Sequence, residues 1–368
     1  MSNSASPSLI AFNLPQFHPI PENDRWWGKG FTEWANVAKA KPLFKGHYQP
    51  HFPADLGFYD LRLPEAREAQ ADLARQYRIH GFCYYHYWFN GRRLLERPVN
   101  EILATGKPDF PFCLCWANEN WTRRWDGNEE EILLEQIYSE EDDANHIRHL
   151  IPAFKDRRYI TANGKPMFLV YRANRLPNPL RTMEIWRREA EWAGLPGLFL
   201  VRVESFSDET GDPQKLGFDA ALEFQPKGIL LHGQNLRRNK WWHRHRLGNV
   251  DQAFVNNLIF EYDSMVNASL AASPPDYPFI RGVCPGFDNT PRRRSGALIL
   301  KDGTPESYRR WLSSVIREAH MLPESSPARE FVFINAWNEW AEGNHLEPCQ
   351  KWQRAYLEAT RAALNESR

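Results

Sequence analysis

Apolar and polar positions along this chain come in blocks: apolar runs of five to seven residues end abruptly in polar and aromatic residues, and helical spacing follows. The clearest run is Phe331 to Asn335, apolar or β-branched up to its last residue, which empties into Trp337, Asn338, Glu339, Trp340, Glu342, Gly343 and His345. A run bounded in this way fits a strand covered on both faces, as in parallel sheets. The same pattern recurs at 8–13 (SLIAFN), 82–88 (FCYYHYW), 110–115, 166–172, 198–204, 220–225 and 279–283. Between these runs, 63–80, 94–105, 140–155, 182–193, 251–270, 305–318 and 350–365 read as helices. The first has the i, i+3/i+4 spacing of an amphipathic helix, with Pro64 near its start and Gly81 as its expected breaker.

Eight strands alternating with helical segments predict an α/β fold, a single (β/α)8 TIM barrel spanning 1–368 as one domain. Long βα loops would then form the active-site face. An open doubly wound sheet would need a Gly-rich phosphate loop after its first strand, and LPQFHP at 14–19 is not one. The longest loop, 14–53, carries Trp26, Trp27, Phe31, Trp34 and Tyr48, and loops of such length in compact domains are usually functional walls or lids. A basic stretch at 226–250 reads as an insertion after strand six.

Charge narrows the choice of partner. Lys plus Arg and Asp plus Glu both number 46, so no global field favours nucleic acid or an anionic membrane, and a neutral oligo- or polysaccharide suits the balance. The one basic cluster, 236–246 (LRRNKWWHRHR), reads as a solvated loop or as a peripheral contact for an acidic polymer, a lipid-linked diphosphate or a membrane face. The first residues lack a basic, apolar leader pattern and nowhere do 18 apolar residues run together, so no integral membrane segment and a cytoplasmic location are expected. Five cysteines make no disulfide framework or zinc motif; Cys83, Cys113 and Cys115 fall inside core strands as small hydrophobes. No cofactor is implied, and nothing in the sequence speaks to oligomeric state.

In a barrel, the side chains just after each strand converge on one face. That gathers Asn13, Gln16 and His18; His86 and Tyr87; Asn118, Glu119, Asn120 and Trp121; Arg172; Glu204; Glu223 and Gln225; Asp288, Asn289 and Arg292; and the last loop with Trp337, Asn338, Glu339 and Glu342. Carboxylates, amides and indoles with little phosphate-binding apparatus describe a sugar pocket. Glu339 and Glu342, three apart and flanked by Trp337 and Trp340, are the pair that glycosidic chemistry asks for: one group protonates a leaving oxygen, and the other acts as base or nucleophile. The substrate-binding candidates are His18, His86, Tyr87, Asn118, Glu119, Trp121, Glu204, Asp288, Trp337 and Asn338. Duller readings stand beside them. His86 also reads as a core histidine, Glu204 and Glu223 as rim ion pairs with Arg172 or Arg202, and Asn118 as a cap of the next turn. No metal-ligand spacing, Gly-x-Ser-x-Gly elbow or Cys-His pair offers another chemistry.

The string Asn338-Glu339-Trp340-Ala341-Glu342-Gly343 resembles the NEWxEG signature of glycoside hydrolase family 99, the endo-α-mannosidases and endo-α-mannanases. Across nearly the whole chain, LPQFHPIPENDRWWGKGFTEW (14–34), GFCYYHYWFNGRRLLERPV (81–99) and CWANENWTRRWDG (115–127) resemble the WbsX-type, family-99-like proteins of bacterial surface-polysaccharide loci. The resemblance implies a (β/α)8 barrel and retaining, metal-independent chemistry on α-mannosides or α-rhamnosides. Glu342 would be the general acid/base, and Glu339 the base toward the sugar 2-hydroxyl on the way to a 1,2-anhydro sugar. WbsX-type proteins also carry a glycosyltransferase label, which leaves a transferase of O-antigen or lipopolysaccharide assembly as the alternative. The third reading is a non-catalytic glycan-binding barrel.

Overall fold

The computed structural model describes residues 6–123, 128–228, 231, 244–248 and 251–367. Its centre is a nearly closed parallel barrel: β1 (Ser8–Asn13), β2 (Gly81–Phe89), β3 (Phe112–Trp116), β4 (Lys165–Val170), β5 (Phe199–Glu204), β6 (Ala220–Glu223), β7 (Phe279–Ile280), β8 (Gly282–Val283) and β9 (Phe331–Ile334). Strand neighbours run β7-β6-β5-β4-β3-β2-β1-β9-β8. The two short pieces β7 and β8 together occupy the place of one strand. Phe279 and Ile280 pair with Ala221 and Leu222 of β6, and Gly282 and Val283 pair with Phe333 and Ile334 of β9. Apolar residues dominate these strands because both faces are buried, one inside the barrel and one under helices.

Around the barrel lie α3 (Pro64–Gln76), α4 (Arg97–Thr105), α5 (Glu140–Phe154), α6 (Pro179–Trp192), α7 (Tyr262–Ala271), α8 (Pro305–Met321) and α9 (Ala355–Glu366), while β5 reaches β6 through a 3-10 turn, Pro213–Leu216. Local chemistry sets where the helices begin. The Ser139 hydroxyl accepts from Asp142 N at 3.1 Å to open α5, whose first turn holds four acidic residues, and Thr304 accepts from Ser307 N at 3.2 Å before Pro305 opens α8. Large side chains then lock helix to sheet: Trp186 of α6 is buried 5.2 Å from the Phe168 ring and 5.7 Å from Trp116.

Four local expectations are revised. Gly81 opens β2 instead of merely ending a helix: a Cβ there would lie 2.6 Å from the Pro111 carbonyl oxygen, so β2 and the entry to β3 approach only because it is glycine. The helix expected over 251–270 is interrupted by a strand, Leu258–Glu261, whose Leu-Ile-Phe run pairs in parallel with Leu298–Lys301. The segment Leu298–Lys301 also pairs with Phe287–Asp288, giving a small three-stranded sheet beside the barrel. The long first loop is not all irregular, since it folds into α1 (Pro21–Trp27) and α2 (Glu33–Lys39). The final helix starts at Ala355 rather than 350. Of the basic run at 236–246, residues 236–243 lie outside the described residues. No described helix is long and apolar enough to cross a membrane.

Candidate active site

The segment after β9 makes a tight device. Asn338–Glu339 pairs antiparallel with Asn344–His345, and between them Trp340–Glu342 is one 3-10 turn closed by Gly343 at φ +56°. The turn brings its last residue, Glu342, and the residue before it, Glu339, to face one space. Gly343 suits the left-handed position, and a Cβ there would crowd Asp288 Cβ at 3.1 Å.

Buried side chains pin the turn. The Asn338 carbonyl accepts from Leu14 N at 2.7 Å, and its amide donates to Leu14 O at 3.0 Å and to the Tyr59 hydroxyl oxygen at 3.1 Å. Trp340 Nε1 donates to Glu347 Oε2 at 2.6 Å, while His345 stacks on the Trp340 rings at 3.8 Å. Glu347 also accepts from Tyr59 OH at 2.8 Å and Gln70 Nε2 at 2.7 Å; burial, only partly offset by these donors, pushes its carboxyl up to about 7.

Arg292 ends the 3-10 turn Thr290–Arg292 and reaches across to both acids. Its Nη1 donates to Glu342 Oε1 at 2.7 Å, its Nη2 to Glu339 Oε2 at 2.9 Å and its Nε to Glu33 Oε2 at 3.2 Å. Burial pushes the Glu339 carboxyl up to about 8; Arg292 opposes the rise, and the Glu342 and Glu33 carboxylates add to it. The α2 residue Glu33 is itself raised, by burial first.

Glu339, Glu342 and Arg292 open onto a cavity of about 250 Å³ walled by Trp27, Tyr85, Tyr87, Trp121, Tyr171 and Phe224, with Gln16, Glu119 and Asn120 as further polar lining. Trp121 stands edge-on to Tyr87 at 5.2 Å and to Trp26 at 5.7 Å. Glu119 is held by Arg172 Nη1 at 2.7 Å. Rings along the sides and carboxylates at one end match a pyranose with its apolar C–H face and its reacting oxygens.

Of the residues singled out in the sequence, this cavity brings together Gln16, Tyr87, Glu119, Asn120, Trp121, Arg292, Glu339 and Glu342. The others sit elsewhere. His18 is buried against Pro15 O at 2.9 Å, and burial lowers it to about 4. The His86 ring meets His146 Nε2 to Nε2 at 2.9 Å behind the wall, lowered by burial to about 3. Asn118 ties the ends of β3 and β4, donating to Arg172 O at 2.8 Å and accepting from Arg172 N at 2.7 Å. Glu204 is buried among Arg202, Lys227 at 3.0 Å and Tyr277 at 2.8 Å. Trp337 packs in the core 5.0 Å from Phe82, and Asn338 is the anchor described above. Asp288 faces away from this cavity toward His47 Nε2 at 2.6 Å and Gln49 Nε2 at 2.8 Å; burial works against its ionisation, yet His47 holds it below its usual value.

Sequence reasoning passed over Glu33, Tyr85 and Glu347. Glu33, on α2, and Glu347 belong to connections whose path no periodicity reveals, although Glu33 lies within the distinctive stretch 14–34. Tyr85 hides inside an apolar run. Among the described residues, no three His, Cys, Asp or Glu side chains are grouped so as to hold a metal ion.

Residues 9–360 match the family model described as "Glycosyltransferase WbsX". The chain is 43% identical over 360 residues, 98% of its length, to a protein of Xanthomonas campestris pv. campestris (strain B100) named "Uncharacterized protein WxcX". That alignment takes in 50% of the Xanthomonas protein, so the chain spans about half the length of the curated relatives it matches. Among solved structures it is similar to the GH99 endo-alpha-mannosidase of Bacteroides thetaiotaomicron in complex with BIS-TRIS-Propane, at 15% identity and TM-score 0.60, covering 98% of this chain and 97% of that one. It is similar also to a "Glycoside hydrolase-like protein", at 12% identity and TM-score 0.60, over 99% and 95% of the two chains. At such identities these likenesses establish the shared fold.

Proposed function

The chain belongs to the WbsX glycosyltransferase family, and from that premise we propose that it is a retaining glycoside hydrolase of α-manno- or α-rhamno-configured linkages in a bacterial surface polysaccharide. The observation that carries this reading is the pair Glu339 and Glu342, the residue before a single 3-10 turn and the last residue of that turn, bridged by Arg292 and opening into a ring-walled cavity at the mouth of the barrel. On this reading the 368 residues act as one catalytic domain.

In the first step Glu339 takes the proton of the sugar 2-hydroxyl. O2 then attacks C1 while the bond from C1 to the leaving oxygen breaks, and Glu342 protonates that oxygen. In the second step Glu342 takes a proton from water, the water oxygen bonds to C1, and the C1–O2 bond of the 1,2-anhydro sugar opens. O2 recovers its proton from Glu339, so both acids return to their starting states and the configuration at C1 is retained. The geometry requires O2 trans to the leaving group, as in α-mannosides and α-rhamnosides. A carboxylate made more basic by burial suits a hydroxyl proton, which supports Glu339 in that role.

The family description favours a second reading, transfer of a sugar from an activated donor. One experiment separates the two. Wild-type protein and the Glu339→Gln and Glu342→Gln variants are incubated with α-mannans, α-rhamnans and O-antigen polysaccharides, without nucleotide, and new reducing ends are measured. Release by the wild type, with turnover reduced at least a hundredfold in either variant, is the expected result. No release, together with thermal stabilisation by a nucleotide-sugar, replaces hydrolysis with transfer. Binding without either activity, unchanged in both variants, leaves a glycan-binding barrel.

A further inference from the structure

A second cavity, of about 260 Å³, opens on the same rim of the barrel and shares no lining residue with the first. The two lie on either side of the turn that carries Glu342: Gly343 and His345 line the second, and Glu339 and Glu342 the first. Its walls come from the loop after β1, the segment 285–288 after β8, the paired strand 298–301 and the stretch leading into α9.

The lining is basic and aromatic. Lys45, Lys301 and Lys351 line it against Asp288 and Asp302. Both acids are already engaged, Asp302 by Lys301 and Asp288 by His47 and Gln49. Among the described residues, neither Lys45 nor Lys351 has a carboxylate within ion-pair distance. Lys351 Nζ instead stands 4.7 Å from the Tyr48 ring centre and 4.8 Å from that of Trp352. His51 and His345 bond to each other at 2.9 Å, Nδ1 to Nε2, and burial lowers both, His51 to about 4, so they add no charge near neutrality. A surface that sets two lysines without carboxylate partners beside ring faces, in a cavity of this size, is suited to a ring that bears an anion. A neutral sugar has no use for the ammonium groups, and a bare phosphate has none for the rings.

We propose that this cavity is a second saccharide site that binds one acidic sugar residue, a pyranose carrying a carboxylate or a phosphate, with the ring on Trp352 and the anion on Lys351 and Lys45. The site is separate from the catalytic carboxylates, so its occupancy does not depend on whether the chain hydrolyses, transfers or only binds glycan.

The test is ligand-observed NMR with sodium glucuronate, glucose 6-phosphate, methyl α-glucoside and GDP-mannose as probes. The proteins are the wild type, Lys45→Ala/Lys351→Ala, Trp352→Ala, and Glu339→Gln/Glu342→Gln. Glucuronate or glucose 6-phosphate should bind the wild type, and which of them binds more tightly tells carboxylate from phosphate. Affinity should fall about tenfold or more in Lys45→Ala/Lys351→Ala and in Trp352→Ala, weaken with added salt, and persist in Glu339→Gln/Glu342→Gln. Equal binding of methyl α-glucoside overturns the proposal, as does binding that survives the double lysine substitution or disappears with the two glutamates. Competition by GDP-mannose at matched concentration would make the site a nucleotide pocket and would equally overturn it. The lysines are exposed and the variants are checked by thermal melting, so a failure to bind is not a failure to fold.

Discussion

Arg292 decides how the acid pair behaves, because one guanidinium touches Glu339, Glu342 and Glu33 at once. Burial holds a proton on the Glu339 carboxyl up to about pH 8, and on the proposed mechanism Glu339 must lose that proton before it can act as base toward the 2-hydroxyl. Lowering the pH below about 8 restores it, so kcat/KM is expected to fall about tenfold per pH unit below that point. Burial sets the raised value and Arg292 opposes it, so Arg292→Gln should move this acid limb to higher pH. Arg292→Lys keeps the charge but loses the fork that spaces the two acids, and should cost roughly a hundredfold in kcat/KM while leaving the limb nearly in place. A pH profile of the three proteins checks this; a limb that does not move in Arg292→Gln contradicts the role given to the arginine.

At the scale of the element, the turn 338–347 depends on a carboxylate that touches no substrate. Glu347, 2% exposed, accepts from Trp340, Tyr59 and Gln70, and burial raises it from 4.5 to about 7. A carboxyl raised on folding keeps its proton longer in the native state than in the unfolded one. Between about pH 4.5 and 7 the unfolded chain therefore binds fewer protons, and stability declines as the pH rises through that window. The part due to Glu347 is of the order of 3 kcal/mol over the window. Glu347→Gln cannot ionise, so the difference in unfolding free energy between variant and wild type should move in the variant's favour by about that amount from pH 4.5 to 7. Denaturant titrations at the two pH values measure it, and a flat difference contradicts the assignment. This turn also shows what the sequence made legible. Glu339 and Glu342 stood out because a strand-ending apolar run, a three-residue spacing and flanking indoles are all local signals. Glu347, Tyr59 and Glu33 did not, because their meeting with the turn depends on loops whose paths are fixed only by tertiary contacts. His86 and Trp337 illustrate the converse: residues of the right chemical type near the right strand end, of which the pleat of β2 turns His86 toward His146 while Trp337, beyond the end of β9, packs on Phe82.

For the whole molecule, the alternation of apolar runs with helical spacing was enough to read a barrel, but it could not show how the barrel closes. Residues 279–283 read as one strand; in the structure Arg281 interrupts it, so that β7 completes the pairing of β6 and β8 that of β9. The arginine is buried, with Nε donating to Glu223 Oε2 at 2.8 Å and a second ion pair to Glu318 of α8, so it fastens the seam to the outer helical layer. Gly282 permits the turn-over, since a Cβ there would stand 2.0 Å from the Glu223 carbonyl oxygen, a contact with backbone that no rotamer change relieves. Gly282→Ala must therefore part β6 from β8 at the seam, and the cost belongs to the whole barrel: an expected loss of about 3 kcal/mol, the upper end of what overpacking one methyl exacts. Loops that follow β8 and β9 at this seam contribute to both cavities, and Phe224, one residue beyond β6, lines the one beside Glu339 and Glu342. The substitution should thus lower the melting temperature and impair glycan binding together, whereas Gly228→Ala, with nothing near its Cβ, should change neither. Thermal melting alongside glycan binding for the two variants decides it. A Gly282→Ala protein that melts like the wild type would mean that the seam opens at little cost and that barrel closure is not what holds the two cavities in shape.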